Sequence, residues 1–244
     1  MGIGFNTLDV DHRGWVKGSK ANGTSMLETL RKQLQQHTPQ RLDHVTLPEA
    51  AVLLPIVERP APTLLFTRRA SHLTTHSGQV AFPGGKREAG DTDLYATALR
   101  EAEEEIALAP ALVQPLGRLS DVISLHGLRV TPWVGIIPPD LPLVADPSEI
   151  DVIFEVPLSH FLADKRSHTD VITVDGIAHY VPSYNIDGHV IWGLSAMMLV
   201  ELLARGLGMP IDLYQRPPGA LHYFPERSSR LPNAARAPIT RNPK

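Results

Sequence analysis

Three glutamates near the middle of the chain carry the strongest chemical signal in the sequence. Glu101, Glu104 and Glu105 stand at positions i, i+3 and i+4, and on a helix this spacing places all three carboxylates on one face. Like charges so arranged weaken an isolated helix by roughly 0.2–0.5 kcal/mol per pair, so a compensating cation is expected. Mg²⁺ and Mn²⁺ prefer oxygen ligands. The spacing therefore predicts a divalent metal site, whereas a lone acidic patch is more often an ordinary solvated surface.

A glycine-rich loop and a helix must position these carboxylates. The loop is Phe82-Pro83-Gly84-Gly85, and its glycines let the backbone come close to a metal or an anion. Asp91 or Thr92 can cap the helix that follows. Apolar residues at steps of three and four then predict a buried stripe, with the acidic cluster beside it. The stripe consists of Leu94, Ala98, Leu99, Ala102, Ile106 and Leu108.

This loop and helix resemble the Nudix box, the motif of hydrolases that cleave nucleoside diphosphates linked to another group. The match runs from Gly85 to Leu108 and departs from the usual box in three places. The early acidic residue is Asp91, the gap from Asp91 to Arg100 is one residue longer, and Ala107 stands where the box has glycine. None of these differences removes a carboxylate of the cluster.

The segment before the box narrows the resemblance to one branch of the family. Residues 67–85 read Thr-Arg-Arg-Ala-Ser-His-Leu-Thr-Thr-His-Ser-Gly-Gln-Val-Ala-Phe-Pro-Gly-Gly and look like the signature of the coenzyme A pyrophosphatases. The longer box is also typical of that branch, and the likeness spans about 51–205, including segments at 149–158 and 191–196. Thr74 stands where the branch usually has an arginine, which could pair with a substrate phosphate.

The resemblance implies metal-assisted hydrolysis of a pyrophosphate, in which bound cations neutralise the diphosphate charge and lower the pKa of bound water. The ligands of Mg²⁺ or Mn²⁺ are expected to be Glu101, Glu104 and Glu105, with the backbone carbonyl of Gly85 as a fourth. Arg100 is expected to hold a glutamate carboxylate in place by charge-assisted hydrogen bonds. The alternative is an ordinary surface arginine.

Several neighbouring side chains have open assignments. Glu88 and Asp91 could join the metal through water or cap the helix. Glu149 and Asp151 are candidates for the general base, which must lie within hydrogen-bond reach of the attacking water, and Glu149 is preferred. A lone histidine is more often structural than a ligand, but substrate contacts are expected from basic and polar residues around the loop. These residues are Arg68, Arg69, His76, Gln79 and Lys86.

Three functional hypotheses follow from these patterns. The leading one is a pyrophosphatase for coenzyme A or its derivatives. Thr74 favours the first rival, the same chemistry on ADP-ribose, a dinucleotide or a nucleoside triphosphate. The second rival is a non-catalytic Nudix domain that senses a ligand, and the intact box glutamates argue against it.

Composition limits the class of protein and its partners. The 244 residues suffice for one large domain or two small ones, and 43% of them are hydrophobic. The formal net charge of −3 gives no electrostatic reason to expect nucleic acid. The absence of cysteine excludes disulfides, thiolate metal sites and cysteine nucleophiles. The sequence contains no apolar run long enough to span a membrane, and no secretory signal is visible. A cytoplasmic protein is therefore expected. A homodimer is expected from the family resemblance.

The surrounding pattern predicts an α+β or α/β sandwich, of which α+β is preferred. Ser25 or Thr24 is expected to cap a helix through about Gln35, and Asn185-Ile186-Asp187-Gly188 predicts a hairpin. Further helices are expected over 158–163 and 192–207, the latter ended by Gly206 and Gly208. Strands are expected over 50–56, 63–67, 114–123, 128–137, 150–156, 172–174 and 179–184. The resemblance implies the Nudix fold, a mixed sheet sandwiched between helices (α/β/α).

Three regions are expected along the chain. Residues 1–23 form an N-terminal extension without periodicity, and residues 24–215 form the hydrolase domain. Residues 216–244 form a tail rich in Pro and Arg with little to bury, which is expected to be mobile.

Overall fold

The architecture was obtained as a computed structural model that describes residues 25–226 and, before them, two short paired strands, β1 (Asp9–Val10) and β2 (Val16–Lys17). The helices are α1 (Met26–Gln36), α2 (Leu94–Ile106), α3 (Leu158–Leu162) and α4 (Gly193–Leu207). The other strands are β3 (Glu49–Val57), β4 (Thr63–Arg69), β5 (Val80–Ala81), β6 (Gly84–Lys86), β7 (Gln114–Arg118), β8 (Val122–Ile123), β9 (Arg129–Ile137), β10 (Ile150–Pro157), β11 (His168–Val174), β12 (Ile177–Ile186), β13 (His189–Ile191) and β14 (Leu221–Tyr223).

A mixed sheet forms the centre of the molecule, in the order β10-β4-β3-β9-β7, with β5, β6 and β8 paired to β4, β3 and β9. Strand β3 runs parallel to β9 and antiparallel to β4 and β6. A second sheet has the order β13-β12-β11-β14. Mixed strands covered by helices confirm the predicted α+β class.

Alternating side chains of the central sheet belong to two different hydrophobic cores, one on each face. Leu54 and Leu64 lie in the core that α1 and α4 cover, whereas Leu53 and Leu65 lie in the core that α2 covers. Successive side chains of a strand point to opposite faces, so neighbouring leucines serve opposite layers. This arrangement is the predicted sandwich, and it holds α2 against the sheet.

Helix α1 follows the prediction closely. Ser25 and Glu28 form a capping box, in which Ser25 Oγ accepts the Glu28 N–H and the Glu28 carboxylate accepts the Ser25 N–H. Leu30 packs against α4 so closely that a Cβ at Gly206 would lie 2.5 Å from its Cδ2. Gly206 therefore lies within α4, contrary to the prediction that it ends the helix, and Gly208 (φ 67°) forms the C-cap.

The strands differ from the prediction in several places. Gly84 and Gly85, expected in a loop, belong to strand β6, because they pair with β3. The expected strand 114–123 is divided into β7 and β8, because Asp121 turns inward to bond Thr131 and Arg129. Strand β11 begins at His168 rather than Ile172. The predicted hairpin at 185–188 is confirmed, with positive φ at Asp187 and Gly188.

The terminal regions fall largely outside the described residues, which exclude 1–8, 11–15, 18–24 and 227–244. Within the expected C-terminal tail, β14 pairs in parallel with β11. The division into extension, domain and tail therefore stays a prediction.

Candidate active site

Helix α2 begins after the capping residue Asp93, so the prediction that Asp91 or Thr92 caps it was wrong. Asp93 Oδ1 accepts the backbone N–H of Ala96 at 2.8 Å. The physical reason is that the Asp91 carboxylate accepts hydrogen bonds from an arginine within α2.

That residue is Arg100, whose Nε and Nη2 donate to the two oxygens of Asp91 at 3.0 and 3.1 Å. Asp91 also accepts the Glu88 N–H and the Thr97 hydroxyl, both at 2.9 Å. Its side chain is 6% exposed. The hydrogen bonds from Arg100, above all, hold the pKa of Asp91 far below its usual range. Asp91 is therefore a charged anchor for Arg100.

Arg100 in turn reaches the glutamates. Its Nη1 donates to Glu104 Oε2 at 2.8 Å and its Nη2 lies 3.1 Å from Glu101 Oε1. Nη2 also donates to the backbone carbonyl of Lys86 at 2.9 Å. One guanidinium thus joins the box loop, the segment 82–93 before α2, to two carboxylates of α2.

The three glutamates have different environments. The side chain of Glu104 is 59% exposed, that of Glu101 is 16% exposed and that of Glu105 is 4% exposed. The expectation that the whole cluster lies beside the buried stripe was wrong for Glu105. Glu105 follows Ala98 and Ala102 at helical steps of seven and three residues, so it shares their buried face.

Burial changes the acidity of the inner two glutamates. Burial is the main cause that raises the pKa of Glu101, against the charge of Arg100. It raises the pKa of Glu105 to about 8, against a hydrogen bond from the Gly84 N–H (3.1 Å) and the charge of Arg69. Charged carboxylates at these positions need further positive charge to be stable.

The ligand oxygens of Glu101, Glu104 and Glu105 do not all lie within 4.8 Å of one another. Arg100 holds Glu104 on the solvent side, whereas the Gly84 N–H holds Glu105 inside. The three carboxylates therefore lie in one region of the molecule, but their oxygens are not already gathered around a single metal position.

Gly85 lies directly against this region. It pairs with Ala51 between β6 and β3, and a Cβ added to it would lie 2.5 Å from the carboxyl atoms of Glu101. Only a residue without a side chain allows this approach. Largely buried carboxylates next to a closely approaching backbone fit a divalent cation, which takes oxygen ligands.

Arg69, at the end of β4, and Glu149, just before β10, lie next to the glutamates of α2. Arg69 Nη1 lies 3.6 Å from Glu105 Oε1, and Nη2 lies 3.9 Å from Glu149 Oε2. Arg69 Nε is buried without a hydrogen-bond partner among the described residues. The charge of Glu149 adds to the raised pKa values of Glu101 and Glu105. The preferred candidate base therefore lies beside the box, although it is distant in sequence.

The other candidate base, Asp151, is bonded elsewhere. Its Oδ2 accepts the Ser71 N–H at 3.0 Å and lies 3.7 Å from Arg68 Nη2. These contacts tie the loop after β4 to β10. Asp151 and Arg68 thus lie beside that loop rather than among the glutamates.

Of the remaining substrate candidates, His76 and Gln79 lie on the loop before β5, and Lys86 ends strand β6. His76 has φ 55° and its Nδ1 lies 2.8 Å from Gln79 Oε1, while its ring meets the edge of His126 at 4.8 Å. Lys86 has an exposed side chain. Gln79 and Lys86 are linked to the site through their backbone carbonyls, which accept the Arg69 N–H and Arg100 Nη2 respectively. The contact of all three side chains with a substrate stays a prediction.

A partly buried ionic network beneath the box loop was missed from the sequence. Arg129 bonds Glu49 and lies 3.4 Å from Asp121, and Arg87 Nη1 donates to Glu49 at 2.8 Å. Thr131 Oγ1 donates to Asp121 at 2.6 Å. The network ties the box loop to β3 and β9. Isolated charges in strand patterns carry no spacing that would have revealed it.

Replacing Asp91 with asparagine is expected to lower the free energy of unfolding by about 1–3 kcal/mol, because Arg100 loses its charged partner. Since the pKa of Asp91 is lowered in the folded protein, this stabilisation is present at neutral pH. It should shrink as the pH falls below about 4, the unfolded value for aspartate. Urea unfolding at several pH values measures it.

Asp93→Asn provides the matched control for that experiment, because asparagine caps a helix as well as aspartate. Its stability should stay close to wild type. Equal losses in both variants would contradict the anchoring role of Asp91.

Comparison with known proteins decides the family of the chain. The family model of the NUDIX domain matches residues 47–174, slightly more than half of the 244 residues. The chain belongs to the Nudix hydrolase family. The matched segment contains the box loop, α2 and Glu149.

Named Nudix relatives cover most of the chain. It is 46% identical over 178 residues to the uncharacterized Nudix hydrolase NudL of Escherichia coli O7:K1, covering 73% of this chain and 90% of that protein. It is 47% identical over 153 residues to NudL of Yersinia pestis (strain Pestoides F), covering 63% and 77%. Among solved structures it is similar to RenU, a Nudix hydrolase from M. smegmatis, with 23% identity, a TM-score of 0.40 and coverage of 48% and 74%.

Family membership shows that this protein is an enzyme, a hydrolase that acts on small-molecule nucleotides. Nudix hydrolases generally use divalent metal ions. In residues 25–226 and the two short strands before them, no helix has the length and apolar character needed to cross a membrane.

Proposed function

We propose that this enzyme uses Mg²⁺ or Mn²⁺ to cleave the pyrophosphate bond of coenzyme A or its derivatives, with 3′,5′-ADP and 4′-phosphopantetheine as products. The observation that carries the chemistry is the close approach of the largely buried Glu101 carboxylate to Gly85, next to buried Glu105. The similarity of residues 67–85 to the coenzyme A pyrophosphatase branch supports the substrate.

Glu101, Glu104, Glu105 and the carbonyl of Gly85 would hold the cation. When bound, it supplies charge neutralisation at the diphosphate and lowers the pKa of coordinated water. Arg100 positions the carboxylates of Glu101 and Glu104, and its own orientation is fixed by Asp91.

Glu149 is proposed as the group that accepts the proton of the attacking water. Its side chain is 49% exposed and lies next to Arg69. The exposed side lets a water molecule reach the carboxylate. A base at the edge of the cluster can also release its proton to solvent after each turnover.

Basic groups near the cluster suit an anionic substrate. Arg68 and Lys86 would attract phosphate groups, and His76 and Gln79 would contact the nucleotide part. Thr74 favours the alternative of another nucleoside diphosphate derivative, because it removes a phosphate-pairing arginine that is typical of the coenzyme A branch. By the same resemblance we expect a homodimer in the cytoplasm, and light scattering after size-exclusion chromatography tests the dimer.

A substrate panel tests the proposed activity. The purified protein, with Mg²⁺ or Mn²⁺, is offered coenzyme A, ADP-ribose, NADH and nucleoside triphosphates, and products are identified by mass spectrometry. We expect 3′,5′-ADP and 4′-phosphopantetheine, with the highest kcat/KM for coenzyme A. Faster cleavage of ADP-ribose would favour the alternative substrate class, and no cleavage of any compound would favour a ligand-sensing domain.

A further inference from the structure

Three side chains far along the chain from the Nudix box form a second cluster. His168, Asp170 and His222 each bring one ligand atom within 4.8 Å of the other two. Asp170 Oδ1 lies 3.1 Å from His168 Nε2 and 3.3 Å from His222 Nδ1. Two imidazole nitrogens thus converge on one carboxylate oxygen.

Strand pairing explains how the cluster forms. Strands β11 and β14 run in parallel with Asp170 opposite His222, and His168 precedes Asp170 by two residues, which places both on the same face of β11. Phe224 packs on His222 at 4.8 Å and stacks on Trp192 at 5.4 Å. The cluster therefore spans the junction between β11 and the C-terminal strand.

The burial of the three side chains is graded. Asp170 is 2% exposed, His168 is 32% exposed and His222 is 63% exposed. A buried carboxylate is costly unless positive charge or several hydrogen bonds compensate for it. The solvent side of the cluster leaves space for an additional ligand such as water.

Ser167 orients the imidazole of His168, so that its Nε2 faces Asp170. Ser167 Oγ donates to the Ser183 carbonyl at 3.0 Å, so its lone pairs accept the Nδ1–H of His168 at 3.1 Å. In a neutral imidazole the other nitrogen, Nε2, is then a bare acceptor. It faces a carboxylate oxygen, which is also an acceptor. The pair is favourable when a cation bridges the two atoms or when the ring carries a second proton, and a bound metal ion meets the first condition.

The distances fit a tetrahedral transition-metal site. Zn²⁺ binds nitrogen and carboxylate oxygen at about 2.0–2.1 Å, which places neighbouring tetrahedral ligands roughly 3.3 Å apart. The two N···O distances are 3.1 and 3.3 Å. The Ser167 contact is of the kind that orients a metal-binding histidine.

We propose that His168, Asp170 and His222 bind Zn²⁺, or another transition metal that prefers imidazole, with water as the fourth ligand. The site is separate from the proposed Mg²⁺ or Mn²⁺ site in its ligands and its donor chemistry, since two of its three donors are nitrogen. Binding there cross-links β14 to β11 and stabilises the C-terminal strand.

Zinc titration of the full-length protein by calorimetry, in excess Mg²⁺ to occupy oxygen-rich sites, tests this proposal. We expect one tight equivalent of Zn²⁺ and an increase in Tm. His222→Ala and His168→Gln should each weaken binding by at least about tenfold, while the exposed His44→Ala control binds like wild type. Co²⁺ as a probe should give the visible absorption of a tetrahedral nitrogen–oxygen site in wild type and lose it in both variants.

The variants are checked by circular dichroism so that loss of binding is not confused with loss of folding, and Asp170→Asn adds a variant of nearly equal volume. Absence of a tight equivalent in wild type would overturn the proposal, as would unchanged binding in His222→Ala. The experiment measures zinc binding and not hydrolysis. A negative result would therefore overturn the zinc site without contradicting the proposed hydrolase activity.

Discussion

The Glu104→Gln variant is expected to hydrolyse its substrate about a thousandfold more slowly than wild type, while its Tm changes little. Loss of a direct metal ligand removes several kcal/mol of transition-state stabilisation, and each 1.4 kcal/mol corresponds to a factor of about ten in rate. The side chain is 59% exposed and bonded to Arg100, so the fold depends little on its charge. Steady-state kinetics at saturating Mg²⁺ and thermal unfolding give the two quantities.

Glu103→Gln is the matched control, because Glu103 is the neighbouring exposed glutamate of α2 and is not one of the expected ligands. It should retain wild-type kcat. Turnover near wild type in Glu104→Gln would remove this residue from the metal site. A similar loss in both variants would point to the net charge of the helix instead.

Gly85→Ala is expected to lower kcat about a hundredfold, because a displacement near 1 Å in an active site can cost this much. The new methyl group would lie 2.5 Å from the carboxyl atoms of Glu101. The end of a flexible side chain can move away cheaply, so activity should fall much more than stability. The expected signature is a reduced kcat, a weaker apparent affinity for Mg²⁺ and a nearly unchanged Tm.

Gly90→Ala separates this effect from a general cost of replacing glycine in the box. A Cβ at Gly90 meets no atom within 4 Å, so this variant should keep wild-type activity. An active Gly85→Ala enzyme with normal Mg²⁺ dependence would show that Glu101 is not held against the loop during catalysis.

Much of the framework was predictable because it depends on local periodicity. The stripe that contains Ala98, Ala102 and Ile106 identified α2, and Ser25 with a glutamate three residues later identified α1. Both signals lie within one or two turns of chain. The family resemblance then supplied the arrangement of the layers.

The features that depend on tertiary contacts were not readable in the same way. Asp91 and Asp93 are both good capping residues, and only the position of Arg100 decides between them. Glu105 was expected beside the buried stripe, but it lies on the buried face and its Oε2 accepts the Gly84 N–H. The approach of Glu149 to the box depends on the pairing of β10 with β4.

The position of Asp91 outside α2 has a consequence for how box lengths vary. An indel between this residue and the Asp93 cap falls in non-helical backbone, so it does not rotate Arg100 relative to the glutamates that follow it. The extra residue of this box can be absorbed there at little conformational cost. A motif with apparently fixed spacing can therefore tolerate a change of length in the segment before its helix begins.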